Sequence, residues 1–585
     1  MIRTDNRKII LKFIPISFLL VALAIYFYNS IANYVGAGRD DTFITLWTGI
    51  SLAEGHGLVN YNFEPVEMSS SLLHTLVIGV IHLFAPDLIY SINKVLGLLA
   101  GATLLIVLHQ KRYSLFGNDV SGTIALGITY FGLANSRSWL YWNLGGLETP
   151  FQTLILFLYG LSLIEFWNTP VRVFPLVVLQ TLYLFVRPEG FTLILFTAVF
   201  ILGRAMFHRA FHRKQIALLL GIPSFFLFII LITRYLHFGL LFPNPVYAKV
   251  NFAIDGNTIS TLRTGIKYLT GFYTSSPYIT GQLAILIVLL IWAVYSLVRG
   301  KTRSNVERSK PEFIFVLWLG LILLNHLFVI ITGGDWMEFF RFLAPVVPLM
   351  VVLTTGFAYK MINEVIKKNN LSRPYLEASA NIALGAVFLI LIATNSGQRD
   401  NYEAQDFHNC SERFDAAKVR AISLDYRHLD ENLILMNCAG QRDWNGLMLF
   451  MTGELPKAYQ LLDQNITIAT FQMGFLPYYI KKLHPTMKIR FIDTLGIGDT
   501  NVARLEGARQ SYGLSEGTRI AEILAGESGE LSNYVLSQNP NMIYVLNATI
   551  RRRQQLADLG WAVELDKPGA VIFIKNIQHN DELFK

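Results

Sequence analysis

Apolar runs about as long as a lipid bilayer is thick recur along the first two thirds of this chain, at roughly 9–29, 88–108, 120–140, 150–167, 171–186, 190–207, 215–236, 279–298, 312–332, 341–360 and 377–395. Inside lipid every backbone polar group needs a partner within its own segment. Runs of this length therefore form helices, and the chain reads as a polytopic α-helical membrane protein of about eleven spans. Composition agrees: 53% of residues are hydrophobic and only 15% charged. The first run is longer than a signal-peptide core and no small-residue cleavage site follows it, so it reads as an uncleaved anchor.

The formal net charge of +8 does not point to nucleic acid, because the cationic residues sit in short clusters between apolar runs, as cytoplasmic loops require. These clusters are Arg7, Lys8 and Lys12; Lys111 and Arg112; Arg204, Arg209, Arg213 and Lys214; Arg299, Lys301, Arg303, Arg308 and Lys310; and Lys360, Lys367, Lys368 and Arg373. Placing them all in the cytoplasm fixes the parity of the spans. The run from Leu72 to Phe84 is too short to cross and reads as an interfacial or re-entrant helix in a first exoplasmic loop over 31–87. An odd number of crossings then divides the chain into a membrane module, 1–399, and an exported part, 400–585.

The polar motifs, from which the topology was not built, fall on one side. They are Asp40-Asp41, with the Gly55-His56-Gly57 stretch suited to a loop folding back; Gly145-Gly146-Leu147-Glu148; Arg187-Pro188-Glu189-Gly190; Pro243-Asn244-Pro245 with Tyr247-Ala248-Lys249; and Gly333-Gly334-Asp335-Trp336 with Glu338 and Arg341. Each has a bland reading: the acid pair caps a helix, Arg187-Pro188-Glu189 makes a tight turn, and Pro243-Asn244-Pro245 stops a helix. Together they gather carboxylates for base or metal work, and Arg and Lys for a phosphate, on one outer face.

These motifs resemble, in order, those of the polytopic GT-C glycosyltransferases, and most of all the branch containing the mycobacterial terminal arabinofuranosyltransferase. More distantly they are similar to the aminoarabinose-to-lipid-A and protein O-mannosyl transferases. In the exported part, Gly474 with Pro477-Tyr478-Tyr479, then Ile492-Asp493, Leu495-Gly496 and Asp499, continues the likeness. The chain departs from the branch at Met68-Ser69-Ser70-Ser71-Leu72-Leu73-His74, where Gly-Tyr-Thr-Ser-Pro-Leu-Trp is usual. The resemblance implies an inverting transfer from a polyprenyl-monophosphate sugar to a cell-envelope glycan, lipid or protein, on the exoplasmic face of a bacterial cytoplasmic membrane. On that basis Asp40 is the expected base. Asp41 orients the acceptor or shares a divalent cation with an acid such as Glu148, although no His or Cys ligand spacing demands a metal. Lys249, Arg187 and Arg341 are the expected phosphate cations, and His56, Glu189, Asn244 and Asp335 complete the substrate-binding set.

The exported part is more polar and reads as a small α/β domain with strands at Leu433–Met436, Ile466–Thr470, Lys488–Ile492, Met542–Leu546 and Ala570–Lys575. It holds the only two cysteines, Cys410 and Cys438, which either pair in an oxidising compartment or stay as buried thiols. Two rivals share the hydropathy: an exoplasmic polymerase or ligase with a diphosphate-linked donor, and a lipid or glycan transporter. A transporter would carry its charges near mid-membrane, whereas here they gather at one face.

Overall fold

A computed structural model describes residues 2–392 and 465–574, apart from 35–39, 118, 169–171, 208–211, 250–257, 301–309, 336, 369–378, 380–381, 384, 471–472, 484, 487, 506–529, 546–561 and 568–569. The fold is a polytopic α-helical membrane bundle followed by a sheet. Among the described residues seven helices are long and apolar enough to cross a bilayer: Phe13–Ala32, Pro86–Phe116, Thr149–Trp167, Arg213–Phe238, Pro277–Tyr295, Phe315–Thr332 and Ala344–Ile366. The bundle core is filled by large side chains such as Trp139, Tyr159 and Trp318, while Phe225, Phe228 and Leu236 on one long helix are more than half exposed, as a lipid-facing surface requires.

Several expected spans are shorter or broken. The run 120–140 becomes a helix Val120–Ala134 and a separate helix Arg137–Leu144. The break is held open by Asn29 of the first helix, whose Nδ2 donates to the Ala134 carbonyl at 2.9 Å and satisfies a helix-end acceptor. The runs 171–186 and 190–207 become helices Phe174–Val186 and Phe191–Phe207, joined by a single turn at Pro188–Gly190. The run 341–360 becomes helix Val347–Lys368 after a short turn. The run 377–395 and the strand expected at Leu433–Met436 lie partly or wholly outside the described residues, as do Cys410 and Cys438. A helix over Thr258–Thr274, beyond the expected apolar runs, packs its Gly265 against the backbone of Val329 and Ile330.

The first loop is folded rather than open. Helix Asp40–Ala53 is followed by a turn in which Gly55 and Gly57 adopt φ +86° and +84°, a conformation only glycine takes freely, and then by helix Leu72–Phe84. Ser71 caps the second helix by accepting from the His74 amide.

Among the described residues the C-terminal part forms a five-stranded sheet of order β2-β1-β3-β5-β4, from β1 Ile466–Thr470, β2 Ile489–Asp493, β3 Met542–Val545, β4 Ala562–Lys567 and β5 Ala570–Ile574. Strands β2, β1 and β3 run parallel, with helix Phe475–Leu483 crossing over between β1 and β2, while β5 and β4 are antiparallel. The sheet does not have a core to itself. Phe43, Leu46, Tyr61, Val66 and Met68 of the first loop share one buried cluster with Ile466, Ile468, Phe475, Tyr478 and Phe491 of the sheet domain.

Candidate active site

The two ends of the helical bundle differ chemically. At one end Lys111 and Arg172 both pair with Glu165, and Tyr359 donates to Asp119. At the other end of the helix that carries Lys111, Asn93 Nδ2 donates to the Gly146 carbonyl at 2.8 Å. Asn93 and Lys111 are separated by about 27 Å of helix at 1.5 Å per residue, close to the thickness of a hydrocarbon core. The Lys111–Arg112 cluster and the Gly145–Glu148 turn thus sit at opposite ends of that helix.

The acidic end is built from four short turns. Asp40 and Asp41 open a helix, where carboxylates are favoured by the helix dipole. Thr42, the next residue, donates from Oγ1 to the Gly145 carbonyl at 2.9 Å and so ties the Gly145–Glu148 turn to the acid pair. Arg187 precedes a proline and is therefore extended (φ −146°, ψ 141°), which ends its helix and turns the guanidinium inward. Arg341 follows two residues in the left-handed region, Phe339 (φ 52°) and Phe340 (φ 53°), a strained stretch held by aromatic packing. Phe339 lies 4.6 Å from the Tyr141 ring, and Phe340 meets Tyr268 and Phe272 edge-on at 5.3 and 5.4 Å.

These turns converge on two buried guanidiniums. Arg187 Nη1 reaches Glu148 Oε1 at 2.6 Å and its Nε reaches Glu189 Oε1 at 2.7 Å. Arg341 pairs with Asp335 (Nε to Oδ2, 2.6 Å) and with Asp41 (Nη1 to Oδ2, 3.4 Å). Phe342 holds both cations, their Cζ atoms lying 5.4 and 5.2 Å from its ring. Burial by itself pushes the Glu148 carboxyl up, but Arg187, Arg341 and His74 outweigh it and hold the carboxyl below its ordinary range. Burial likewise opposes the charge on Arg187, and Glu189 and Glu148 more than restore it. Glu148 and the two arginines thus place fixed charges of both signs around one spot.

Asp40 meets the sheet domain. Its Oδ2 accepts from the Gly474 amide at 2.9 Å and its Oδ1 from the Phe475 amide at 2.7 Å, at the N-terminus of helix Phe475–Leu483 in the sheet domain. Asn244 also faces that domain, its Nδ2 donating to the carbonyls of Gly496 (2.6 Å) and Ile497 (2.9 Å). His56 lies outside the network, half exposed beside Glu54 and against the Phe63 ring. Lys249 ends helix Asn244–Lys249, and its side chain is outside the described residues. The structure therefore brings Asp41, Glu148, Arg187, Glu189, Asp335 and Arg341 together, and puts Asp40 and Asn244 at the contact with the sheet.

Two residues absent from the expected site stand beside it. Glu67 and Arg234 form a buried bidentate pair (Nε to Oε2 2.7 Å, Nη2 to Oε1 2.8 Å), and the Glu67 carbonyl accepts from the Asn244 amide at 3.1 Å. The signal was present, since Arg234 is an isolated cation in an apolar run. Among the described residues no group of three or more His, Cys, Asp or Glu is arranged to hold a metal ion. Glu148 and Asp41, the pair expected to share a cation, point at the two arginines instead.

No family model matches this chain and no curated protein sequence matches it. Among solved structures it is similar to ArnT from Cupriavidus metallidurans bound to undecaprenyl phosphate (11% identity over 95% of this chain and 97% of that one, TM-score 0.48). It is also similar to the archaeal oligosaccharyltransferase AglB from Archaeoglobus fulgidus, in complex with an inhibitory peptide and a dolichol-phosphate (12% identity over 92% of this chain and 69% of that one, TM-score 0.47). These likenesses are too distant to assign this chain a reaction or a branch of any family.

Proposed function

We propose that this chain is a GT-C-type glycosyltransferase that moves a sugar, with inversion, from a polyprenyl-monophosphate donor to a cell-envelope glycan, lipid or protein on the exoplasmic face of a bacterial cytoplasmic membrane. The observation that supports it is the gathering of Asp41, Glu148, Arg187, Glu189, Asp335 and Arg341 into one buried network at the end of the bundle away from the basic clusters. A lipid-linked donor presents its phosphate at the bilayer surface, which is where helix ends place these charges.

The geometry favours Asp41 over Asp40 as base. Both oxygens of Asp40 accept backbone amides, whereas Asp41 faces the arginine network. In the step, the acceptor hydroxyl oxygen attacks the anomeric carbon and its proton passes to Asp41. The bond from that carbon to the phosphate oxygen breaks, and its electron pair leaves on the lipid phosphate. A guanidinium has five N–H donors, and among the described residues the carboxylates engage Nε and Nη1 of Arg187 and of Arg341, which leaves further donors of each for the growing phosphate charge.

The test is Asp41→Asn expressed in a deletion strain, with envelope glycans examined by linkage analysis and lipid-linked sugars measured in the same cells. Expected are one missing terminal sugar and an accumulated monophosphate-linked donor. Transfer within about tenfold of wild type would remove Asp41 as base, because general-base catalysis is worth about a hundredfold or more. Accumulation of a diphosphate-linked oligosaccharide instead would move the assignment to a ligase.

A further inference from the structure

The exported sheet domain touches the first loop at the residue beside the proposed base, and the contact is directional. Successive residues on a helix point about 100° apart, so Asp40 and Asp41 project to different sides. Asp40 faces the sheet domain and Asp41 faces Arg341. The place Asp40 occupies is the N-terminus of the crossover helix after β1, where exposed amides and the helix dipole bind anions. Here the anion is a carboxylate from the same chain.

The surrounding contacts admit one docked position. A Cβ on Gly474 would collide with the Asp40 carbonyl and would come within 2.8 Å of its carboxyl carbon, so no other residue allows this approach. The buried Tyr61 hydroxyl lies between the Gly474 carbonyl (3.0 Å) and the Phe43 carbonyl (3.3 Å). Phe43, on the same helix as the acid pair, packs against the rings of Phe475, Tyr478 and Tyr479 at 5.2 to 5.4 Å. Further along the seam, Asn60 Nδ2 donates to the Gly498 carbonyl at 2.8 Å, and Asn244 holds the two carbonyls before it.

We propose that the sheet domain is a positioning part of the transferase centre: Gly474 and Phe475, through their amides on Asp40, set the rotation of helix Asp40–Ala53 that aims Asp41 at the site. This rests on the transferase reading above. Gly474 and Asp40 are positioning residues in it, and Asp41 is the catalytic one. Undocking the sheet removes activity while every charged residue of the network is still present.

The experiment uses full-length protein and four variants: Gly474→Ala, Asp40→Ala, Asp40→Asn and Asp41→Asn. Amide exchange at 474–476 is measured in lipid nanodiscs, and transfer by linkage analysis of the complemented deletion strain. Asparagine has the length and shape of aspartate and keeps one oxygen for these amides, but cannot take a proton at neutral pH. The expected result is fast exchange and at least tenfold lower transfer for Gly474→Ala and Asp40→Ala, with membrane levels kept. Asp40→Asn should exchange more slowly than Asp40→Ala and bring transfer back to within about tenfold of wild type. Asp40→Asn that docks normally but is inactive overturns the inference and returns Asp40 to the role of base. Gly474→Ala that exchanges fast but transfers normally also overturns it. If Asp41→Asn too transfers normally, Asp41 is not the base and the inference falls with that assignment; if Asp41→Asn is inactive, only the positioning role is lost; and a deletion strain with unchanged envelope glycans fails the transferase reading itself.

Discussion

Asn62 closes the open edge of the sheet by pairing with Phe491: its Nδ2 donates to the Phe491 carbonyl and its Oδ1 accepts from the Phe491 amide, both at 2.8 Å. β2 is the edge strand, and an unpaired edge exposes a row of amides and carbonyls. One side-chain amide from the first loop thus takes the place of a neighbouring strand. Asn62→Ala removes both bonds and is expected to weaken docking by about 1–3 kcal/mol, at roughly 0.5–1.5 kcal/mol per bond. Amide exchange at Phe491 measures this. Exchange as slow as in wild type would mean that the shared apolar core alone holds the two parts together.

The Arg187 pair is expected to be costly to break from one side. With Glu148 and Arg187 both buried and 2.6 Å apart, Arg187→Met strands a carboxylate and should destabilise the bundle by about 3–5 kcal/mol. Glu148→Gln in the same protein should recover part of that, since the charge left behind is gone, without restoring transfer. Thermal unfolding in detergent reads the first effect and linkage analysis the second. Arg187→Lys keeps the charge but not the fork that holds Glu148 and Glu189, so it should also lose most transfer.

Asp493, the last residue of β2, gives the sheet domain a pH dependence. Its carboxyl accepts from the amides of Leu495 (2.8 Å) and Gly498 (2.6 Å), yet burial pushes it up to about 7, with those amide bonds acting against the rise. A carboxyl whose folded value lies above its unfolded one contributes stability that is fully present below the unfolded value of 3.8 and lost as pH rises through about 7. The 495–498 loop, which Asn244 and Asn60 grip, should therefore loosen between pH 6 and 8, by on the order of 1 kcal/mol. Exchange at the Leu495 and Gly498 amides follows it. Asp493→Asn should flatten the dependence, and an unchanged slope in that variant would assign it to another group.

Sidedness is checked with single cysteines and a membrane-impermeant thiol reagent on intact cells, permeabilised at any outer membrane. Glu54→Cys, half exposed at the acidic end, should be labelled, whereas Gln110→Cys and His212→Cys at basic ends should not. Labelling at Gln110 would mean that helix Leu72–Phe84 crosses the bilayer.

What could be read beforehand followed from local pattern. Helix Leu72–Phe84 lies where its short apolar run ends, and β1, β2, β3 and β5 fall within a residue or so of the runs that announced them. β4 was missed because Ala562-Val-Glu-Leu-Asp-Lys567 alternates apolar with charged residues and resembles a solvated segment until β5 pairs with it. Helix Thr258–Thr274 was missed for a similar reason, being apolar on one face only.

The sequence by itself determined that the chain spans a membrane repeatedly and carries a sheet in its C-terminal part. Hydropathy and period are properties of neighbouring residues, and no tertiary contact is needed to read them. Only the tertiary structure decided which of two adjacent aspartates meets the arginines. Asp40 and Asp41 are alike in residue type and spacing, and their contacts separate because the helix turns by about 100° between them and the sheet domain docks on one of the two sides. The same holds for Asn244, which motif order placed with the substrate. Its amide is directed by the carbonyls of a loop some 250 residues later in the chain, and no local pattern contains that partner.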